Sequence, residues 1–265
     1  IMLDLGYFYP KLNAYKFIDT IYMKLGLRFA AKHAWGIFAI SENTATDVVK
    51  FLGVSRNKVQ NIYGGVKKEL YAPIINHSIL ETTRIKYKLR TPFIFYPTSI
   101  SPRKNITRVL NAFEMIQNRI PHHLYFTGHS SWNSLPIKKR INNHLDQRIH
   151  MLGSVSQEDM PALYSLSDFT IYPSLFEGFG LPIIEAFLCG SAVLTSDQTS
   201  LPEVAGDAAL IVPAHDTQAI ADGMLRLAKD EYLKEQLIQR GFVRAKEFTW
   251  ENTAKTAFDW IKNNI

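Results

Sequence analysis

The 265-residue sequence predicts an α/β protein with a mostly parallel sheet. Three observations predict it. Short apolar runs alternate along the chain with stretches whose apolar residues recur at helical spacing. Strands alternating with helices of that length imply right-handed crossovers, and therefore strands that run parallel. Several runs end on or next to glycine, as at Gly64, Gly128 and Gly153, so tight turns follow the carboxyl ends of the strands.

Taken in order, residues 1–6 read as the end of a strand and Tyr9-Pro10 as a turn. A helix is expected from Leu12 to Ala34, with Phe17, Ile18, Ile21, Tyr22, Leu25, Leu27 and Phe29 on its period. Trp35 to Ile40 reads as a buried strand. Ser41 is placed to cap a helix from Glu42 to Leu52, which Gly53 closes. Lys58 to Tyr63 is another strand, broken by Gly64-Gly65. Residues 66–80 lack periodicity and read as a linker. A second series follows: strands at Phe93–Tyr96, His123–Thr127, Ile149–Leu152, Phe169–Tyr172, Ala192–Thr195 and Ala209–Val212. Between and after them, helices are expected at about Lys104–Ile116, 135–145, Gln157–Ser165, Pro182–Leu188, 216–229 and 231–247, with a last amphipathic helix from Trp250 to Ile265. The chain divides into a first unit at 1–66, a linker at 67–80, a second unit at 81–248 and a terminal helix at 249–265.

Hydrophobic residues make up 46% and charged residues 20%, as in a soluble globular protein. The single cysteine, Cys189, excludes an internal disulfide and, lying in an apolar helix with no histidine close in sequence, reads as a buried structural thiol. A net charge of +6 suits a phosphate-bearing ligand, an anionic lipid surface or nucleic acid. The nucleic-acid reading is disfavoured because the basic residues are not interleaved with aromatics along one element. No apolar run approaches the roughly 20 residues that span a bilayer. The apolar start, Ile1-Met-Leu-Asp-Leu5, does not look like a natural beginning, and residues are expected upstream.

The candidate site centres on Tyr172-Pro-Ser-Leu-Phe-Glu-Gly-Phe-Gly-Leu-Pro-Ile-Ile-Glu185. Gly178 and Gly180 strip side chains from a strand-to-helix turn, so backbone N–H groups can approach an anionic or hydroxyl-rich ligand. Glu177 and Glu185 frame the turn and are suited to accept hydrogen bonds from hydroxyls; they need not be an acid–base pair. Arg103 and Lys104 stand at the start of another helix, where cations oppose the helix dipole unless an anion is present. In an open parallel sheet ligands bind at the carboxyl ends of the strands, and the turns near 98–105, 127, 152 and 172 all fall on that edge. The histidines show no metal-ligand spacing, so no metal is expected.

Glu177-Gly-Phe-Gly-Leu-Pro-Ile-Ile-Glu185 resembles the Glu-x7-Glu signature of the family 4 retaining nucleotide-sugar glycosyltransferases. The resemblance extends, in the family's order, through Ala39-Ile-Ser41, Gly64-Gly-Val66, Ser101-Pro-Arg-Lys-Asn105, Gly153-Ser-Val155, Leu163-Tyr-Ser-Leu-Ser-Asp168, Ser200-Leu-Pro-Glu-Val-Ala-Gly-Asp207 and Phe248-Thr-Trp250. It implies a GT-B fold, two Rossmann-like domains facing a cleft, with 1–66 as part of the acceptor-side domain and 81–248 as the nucleotide-sugar-binding one. It further implies metal-independent hexosyl transfer with retention. Carried over by residue, Lys104 and Arg103 hold the diphosphate and Glu185 the ribose. Glu177, Gly178, Phe179, Gly180 and Leu181 meet the transferred sugar and phosphate. Thr98, Ser99, Gly128 and Val155 complete the donor site, with Val155 by the base. Two positions depart from the pattern. Thr98 stands where many relatives have arginine, and Arg103 is the substitute. Leu3-Asp4 stands where His-Asp is usual, which leaves Asp4 as the acceptor-side residue.

Pro-Arg-Lys-Asn together with Glu-Gly-Phe-Gly-Leu-Pro resembles bacterial mannosyltransferases of polysaccharide assembly. GDP-mannose is therefore the favoured donor, with UDP-sugars open, and no cofactor is implied beyond that co-substrate. The expected acceptor is a glycan or lipid-linked glycan, at the inner face of the cytoplasmic membrane. A sugar-nucleotide epimerase of the same architecture and a non-catalytic nucleotide-sugar-binding protein are the alternatives.

Overall fold

The computed structural model describes residues 1–128, 135–142 and 148–264. The first unit is small. Its expected opening strand is only a parallel bridge, Met2 to Ala39. Two 3-10 turns, Gly6–Phe8 and Pro10–Leu12, follow. Left-handed Asn13 (φ 46°) ends the second, so helix α1 (Phe17–His33) starts at Phe17 and not at Leu12. Strand β1 (Ile37–Ala39) leads into helix α2 (Glu42–Leu52). Ser41 Oγ accepts the Thr44 N–H at 3.0 Å, and Gly53 closes the helix in the left-handed region (φ 69°). Strand β2 (Val59–Asn61) pairs parallel with β1, Ile37 opposite Val59. Leu5, Phe8, Ala31, Ile37, Val48 and Val59 form this unit's core.

Helix α3 (His77–Lys86) arises partly inside the stretch read as a linker. Its Ile79 and Ile85 are exposed and Thr83 is its one buried residue, so there is no apolar stripe to read. Polar contacts hold it instead. Asn76 Oδ1 accepts the Ser78 N–H at 2.9 Å, and Lys86 and Tyr87 both donate to Asp159, at 2.5 and 2.6 Å.

The second unit alternates strictly: β3 (Phe93–Tyr96), α4 (Ile106–Ile116), β4 (His123–Phe126), α5 (Leu135–Asn142), β5 (Ile149–Met151), α6 (Met160–Leu166), β6 (Phe169–Tyr172), α7 (Leu181–Leu188), β7 (Val193–Ser196), α8 (Leu201–Ala205) and β8 (Ala209–Val212). Helices α9 (Thr217–Lys229), α10 (Glu231–Ala245) and α11 (Trp250–Asn264) complete the chain. Residues 143–145 of the expected 135–145 helix lie outside the described residues. The helix expected from Lys104 begins at Ile106, because Asn105 is left-handed (φ 61°) and separates it from a 3-10 turn at Pro102–Lys104. The helix expected from Gln157 begins at Met160, after a turn closed by the Asp159 N–H on Ser156 O.

All six strands pair parallel in the order β5-β4-β3-β6-β7-β8. Strands β3, β6 and β7 are buried along their whole length, so their sequences read as continuous apolar runs. Helix α4 covers one face with Val109, Leu110, Phe113 and Ile116, its buried stripe. Each such side chain contributes about 1.5–3 kcal/mol by leaving water. The order reverses between β3 and β6, so the crevice outside their carboxyl ends is the switch point where doubly wound sheets bind ligands.

Several contacts join the units. Val66 bridges Thr249, and Thr253 Oγ1 donates to Tyr63 O at 3.0 Å. Trp260 packs against Trp35 and Phe38, with ring centroids 5.3 and 5.4 Å away. Glu203 accepts the N–H groups of Glu42 and Asn43, at 3.1 and 3.2 Å, so its carboxylate covers the amino end of α2. Among the described residues no helix is long and apolar enough to cross a membrane.

Candidate functional site

The loops leaving β3 and β6 meet at the switch point. The β3 loop is pinned by Asn105, whose Nδ2 donates to Pro173 O (3.0 Å) and Ala214 O (2.7 Å). The Leu175 N–H, from the β6 loop, donates to Arg103 O at 2.8 Å. These bonds set Arg103 and Lys104 against Glu177. Lys104 Nζ lies 2.5 Å from Glu177 Oε1, and Arg103 Nη1 lies 2.7 Å from Oε2. Lys104 also donates to Tyr172 Oη at 2.5 Å and sits 4.7 Å from that ring's centroid.

Lys104 and Glu177 are each only 6% exposed. Burial alone would raise the Glu177 carboxyl, but the charges of Lys104 and Arg103 outweigh it and hold the group below the ordinary glutamate value. Two basic side chains thus face one carboxylate; burial pulls the Lys104 ammonium below its ordinary value, partly offset by the charge of Glu177. The conflict between these cations and the helix dipole is relieved by Glu177 in the ligand-free protein, a partner that sequence spacing did not identify.

The turn after Glu177 is held from behind. The Glu177 N–H donates to Thr199 Oγ1 (3.0 Å), and Ser200 Oγ lies 3.0 Å from Glu177 O and 2.7 Å from Phe179 O. Gly180 takes φ 121°, a backbone that side chains rarely tolerate. At Gly178 an added Cβ would stand 2.0 Å from Leu3 O, so the first unit's edge lies directly on this loop. Thr44 Oγ1 also donates to Gly178 O, at 3.2 Å. Between the units opens a cleft of about 380 Å³. Leu3, Asp4 and Ile40 line one wall, Arg103, Lys104 and residues 177–182 the other, with Trp250 at an end.

Of the expected site residues, Asp4, Arg103, Lys104, Glu177, Gly178, Phe179, Gly180 and Leu181 therefore share one cleft. A second group meets on the same sheet edge. The Gly128 N–H donates to Gly153 O at 2.6 Å, and a Cβ on Gly128 would stand 2.9 Å from Thr98 O and 3.0 Å from Ser99 N. Val155, two residues beyond Gly153, packs half-buried on the main core. Glu185 lies apart from the charged cleft, one helical turn along α7, where it accepts the Tyr164 hydroxyl at 2.8 Å. Burial raises its carboxyl above the ordinary value, partly offset by hydrogen bonds from Tyr164 and Tyr71. Tyr71 lies in the stretch read as a linker, and Tyr164 and Tyr172 lie in motifs singled out for other residues, so the sequence assigned none of the three a role. Cys189 is buried, as expected of a structural thiol, and burial pushes its thiol up to about 12. Among the described residues no group of three or more histidine, cysteine or carboxylate side chains could hold a metal.

A doubly wound sheet with its charged cluster at the switch point, facing a second βαβ unit across a cleft, has the architecture of a GT-B glycosyltransferase. Solved structures share the fold. A glycosyltransferase from Rickettsia africae superposes with a TM-score of 0.78 at 18% identity, over 90% of this chain and 66% of that one. Anabaena HepE, in complex with UDP-glucose, gives 0.74 at 18%, over 91% and 67%. The family described as Glycosyl transferases group 1 matches residues 81–244, and the chain belongs to it. Among curated relatives, the Escherichia coli O-antigen chain mannosyltransferase B is 31% identical over 235 residues, 87% of this chain and 61% of its own length. The serotype-specific mannosyltransferase WbdA of the same organism is 32% identical over 86% of this chain and 29% of its own length. The chain thus spans about three-fifths of the first relative and under a third of the second.

Proposed function

We propose that this chain forms the donor-binding part of a retaining hexosyltransferase that uses a nucleotide-diphosphate sugar, GDP-mannose first. One observation carries the reading: buried Lys104 and Glu177, with half-buried Arg103 beside them at the switch point, end a cleft whose floor is a glycine turn at the start of α7. A leaving diphosphate gathers negative charge as the glycosidic bond breaks. Lys104 and Arg103, fixed in place before the donor arrives, stabilise that charge without reorganising. Gly178 and Gly180 let backbone approach the transferred sugar, while Glu177 orients both cations and accepts a sugar hydroxyl. Glu185 takes the ribose, and Thr98, Ser99, Gly128 and Val155 border the rest of the nucleotide.

Asp4, on the opposite wall, presents the acceptor hydroxyl, a glycan or lipid-linked glycan. The leaving phosphate oxygen takes the acceptor proton on the same face, so no separate base is required. The mannosyltransferase relatives support the choice of sugar. A panel of nucleotide-sugars scored by thermal stabilisation tests the reading, since only a ligand that prefers the folded state raises its stability. GDP-mannose and GDP should stabilise most. Equal, negligible shifts across the panel would sink the proposal.

A further inference from the structure

On the other side of the Ser101–Asn105 loop lies a second pocket, of about 280 Å³, that shares no lining residue with the charged cleft. It surrounds the amino end of α4. That end is uncapped: Asn105 stands at the cap position but makes no side-chain cap, its Oδ1 accepting from Arg108 Nη1 and its Nδ2 donating to Pro173 O and Ala214 O. The first N–H to find a helical partner is that of Val109, on Asn105 O at 3.1 Å, so the N–H groups of the first turn have no helical acceptor. Arg108 lies in that turn, against the dipole, and contacts Asn105 Oδ1 at 3.1 Å; among the described residues it is paired to no carboxylate. Ser101 also lines the pocket. It is 8% exposed and its Oγ is buried without a hydrogen-bond partner. An orphaned buried hydroxyl is costly, and a ligand oxygen would satisfy it. Among the described residues no carboxylate lines the pocket, while Ile137 and Leu175 give it an apolar wall.

The geometry points to a second anion site, for an organic phosphomonoester. Its phosphoryl group sits at the α4 amino end, held by Ser101 Oγ, Arg108 and first-turn N–H groups, and its carbon skeleton rests on Ile137 and Leu175. The inference does not depend on the donor reading, because the residues are different.

The test titrates inorganic phosphate and phenyl phosphate at constant ionic strength, with and without saturating GDP, on the wild type, Ser101→Ala, Arg108→Gln and Lys104→Ala. Both anions should bind the wild type saturably, phenyl phosphate the more tightly, and GDP should not displace them. Ser101→Ala and Arg108→Gln should each weaken binding about tenfold while GDP affinity holds. Ser101→Ala has a second readout. Losing a hydroxyl that has no partner leaves the ligand-free melting temperature unchanged or raised, whereas a structural role would lower it. Absence of saturable binding overturns the site, as does loss of binding in Lys104→Ala alone. Equal affinity for the two anions overturns the organic part and leaves a site for free phosphate.

Discussion

Replacing Glu177 by glutamine separates the two tasks its carboxylate performs. The substitution keeps the shape but removes the charge, leaving Lys104 buried at 6% exposure with Arg103 as its cationic neighbour and no carboxylate between them. Breaking a buried ion pair from one side costs about 3–5 kcal/mol. For a chain of this size that is a fall in melting temperature of roughly 6–20 °C, at about 2–4 °C per kcal/mol. Removing both members, as in Lys104→Met with Glu177→Gln, should cost less than Glu177→Gln alone, because no charge is then stranded. Nucleoside diphosphate should bind the single mutant at least as well as it binds the wild type, since its phosphates meet two unneutralised cations, while turnover falls. Differential scanning calorimetry with isothermal titration of GDP measures each quantity. The carboxyl is held below its ordinary value in the folded protein, so its contribution is present above that value and drains away as pH falls below it. Glu177→Gln should flatten that acid limb. A mutant within about 1 kcal/mol of wild type, or one that loses GDP binding, refutes the reasoning.

Further outcomes follow from other contacts. Burial raises the Glu185 carboxyl, so the fold favours its protonated form and loses stability as pH rises from the ordinary glutamate value through the raised one. Glu185→Gln should remove that loss in a pH series of melting curves, and should weaken GDP binding about tenfold, the worth of one good hydrogen bond. Asn105→Ala deprives two buried carbonyls of their donor and puts alanine at φ 61°, for a cost of about 2–4 kcal/mol in urea unfolding. Asn105→Gly relieves the strain but not the bonds and should fall between. With its thiol pushed up to about 12, Cys189 should resist iodoacetamide at pH 8 in the folded protein and react once urea unfolds it, as mass spectrometry would record.

The sheet was legible because its central strands are buried on both faces. Phe93–Tyr96 and Phe169–Tyr172 begin and end where apolar runs do. Helix α3 was illegible for the opposite reason: polar bonds to Asn76 and Asp159 hold it where periodicity would otherwise speak. Sequence picked out Arg103, Lys104 and Glu177 as candidates. It did not show them as partners, because pairing across some seventy residues depends on β3 and β6 lying side by side. Asn105 illustrates the limit within a motif. It stands beside the cations in Pro-Arg-Lys-Asn, yet its side chain works as a tether between loops.

The return of α11 to the first unit bears on the order in which this protein takes shape on the ribosome. Trp35 and Phe38 emerge well before the Trp260 ring that packs against them. Thr253 and the Tyr63 carbonyl it meets are separated by 190 residues of chain. Contacts of such long range form late. During synthesis the first unit must therefore wait with its aromatic floor uncovered, a surface on which a chaperone or a neighbouring nascent chain can settle before α11 arrives.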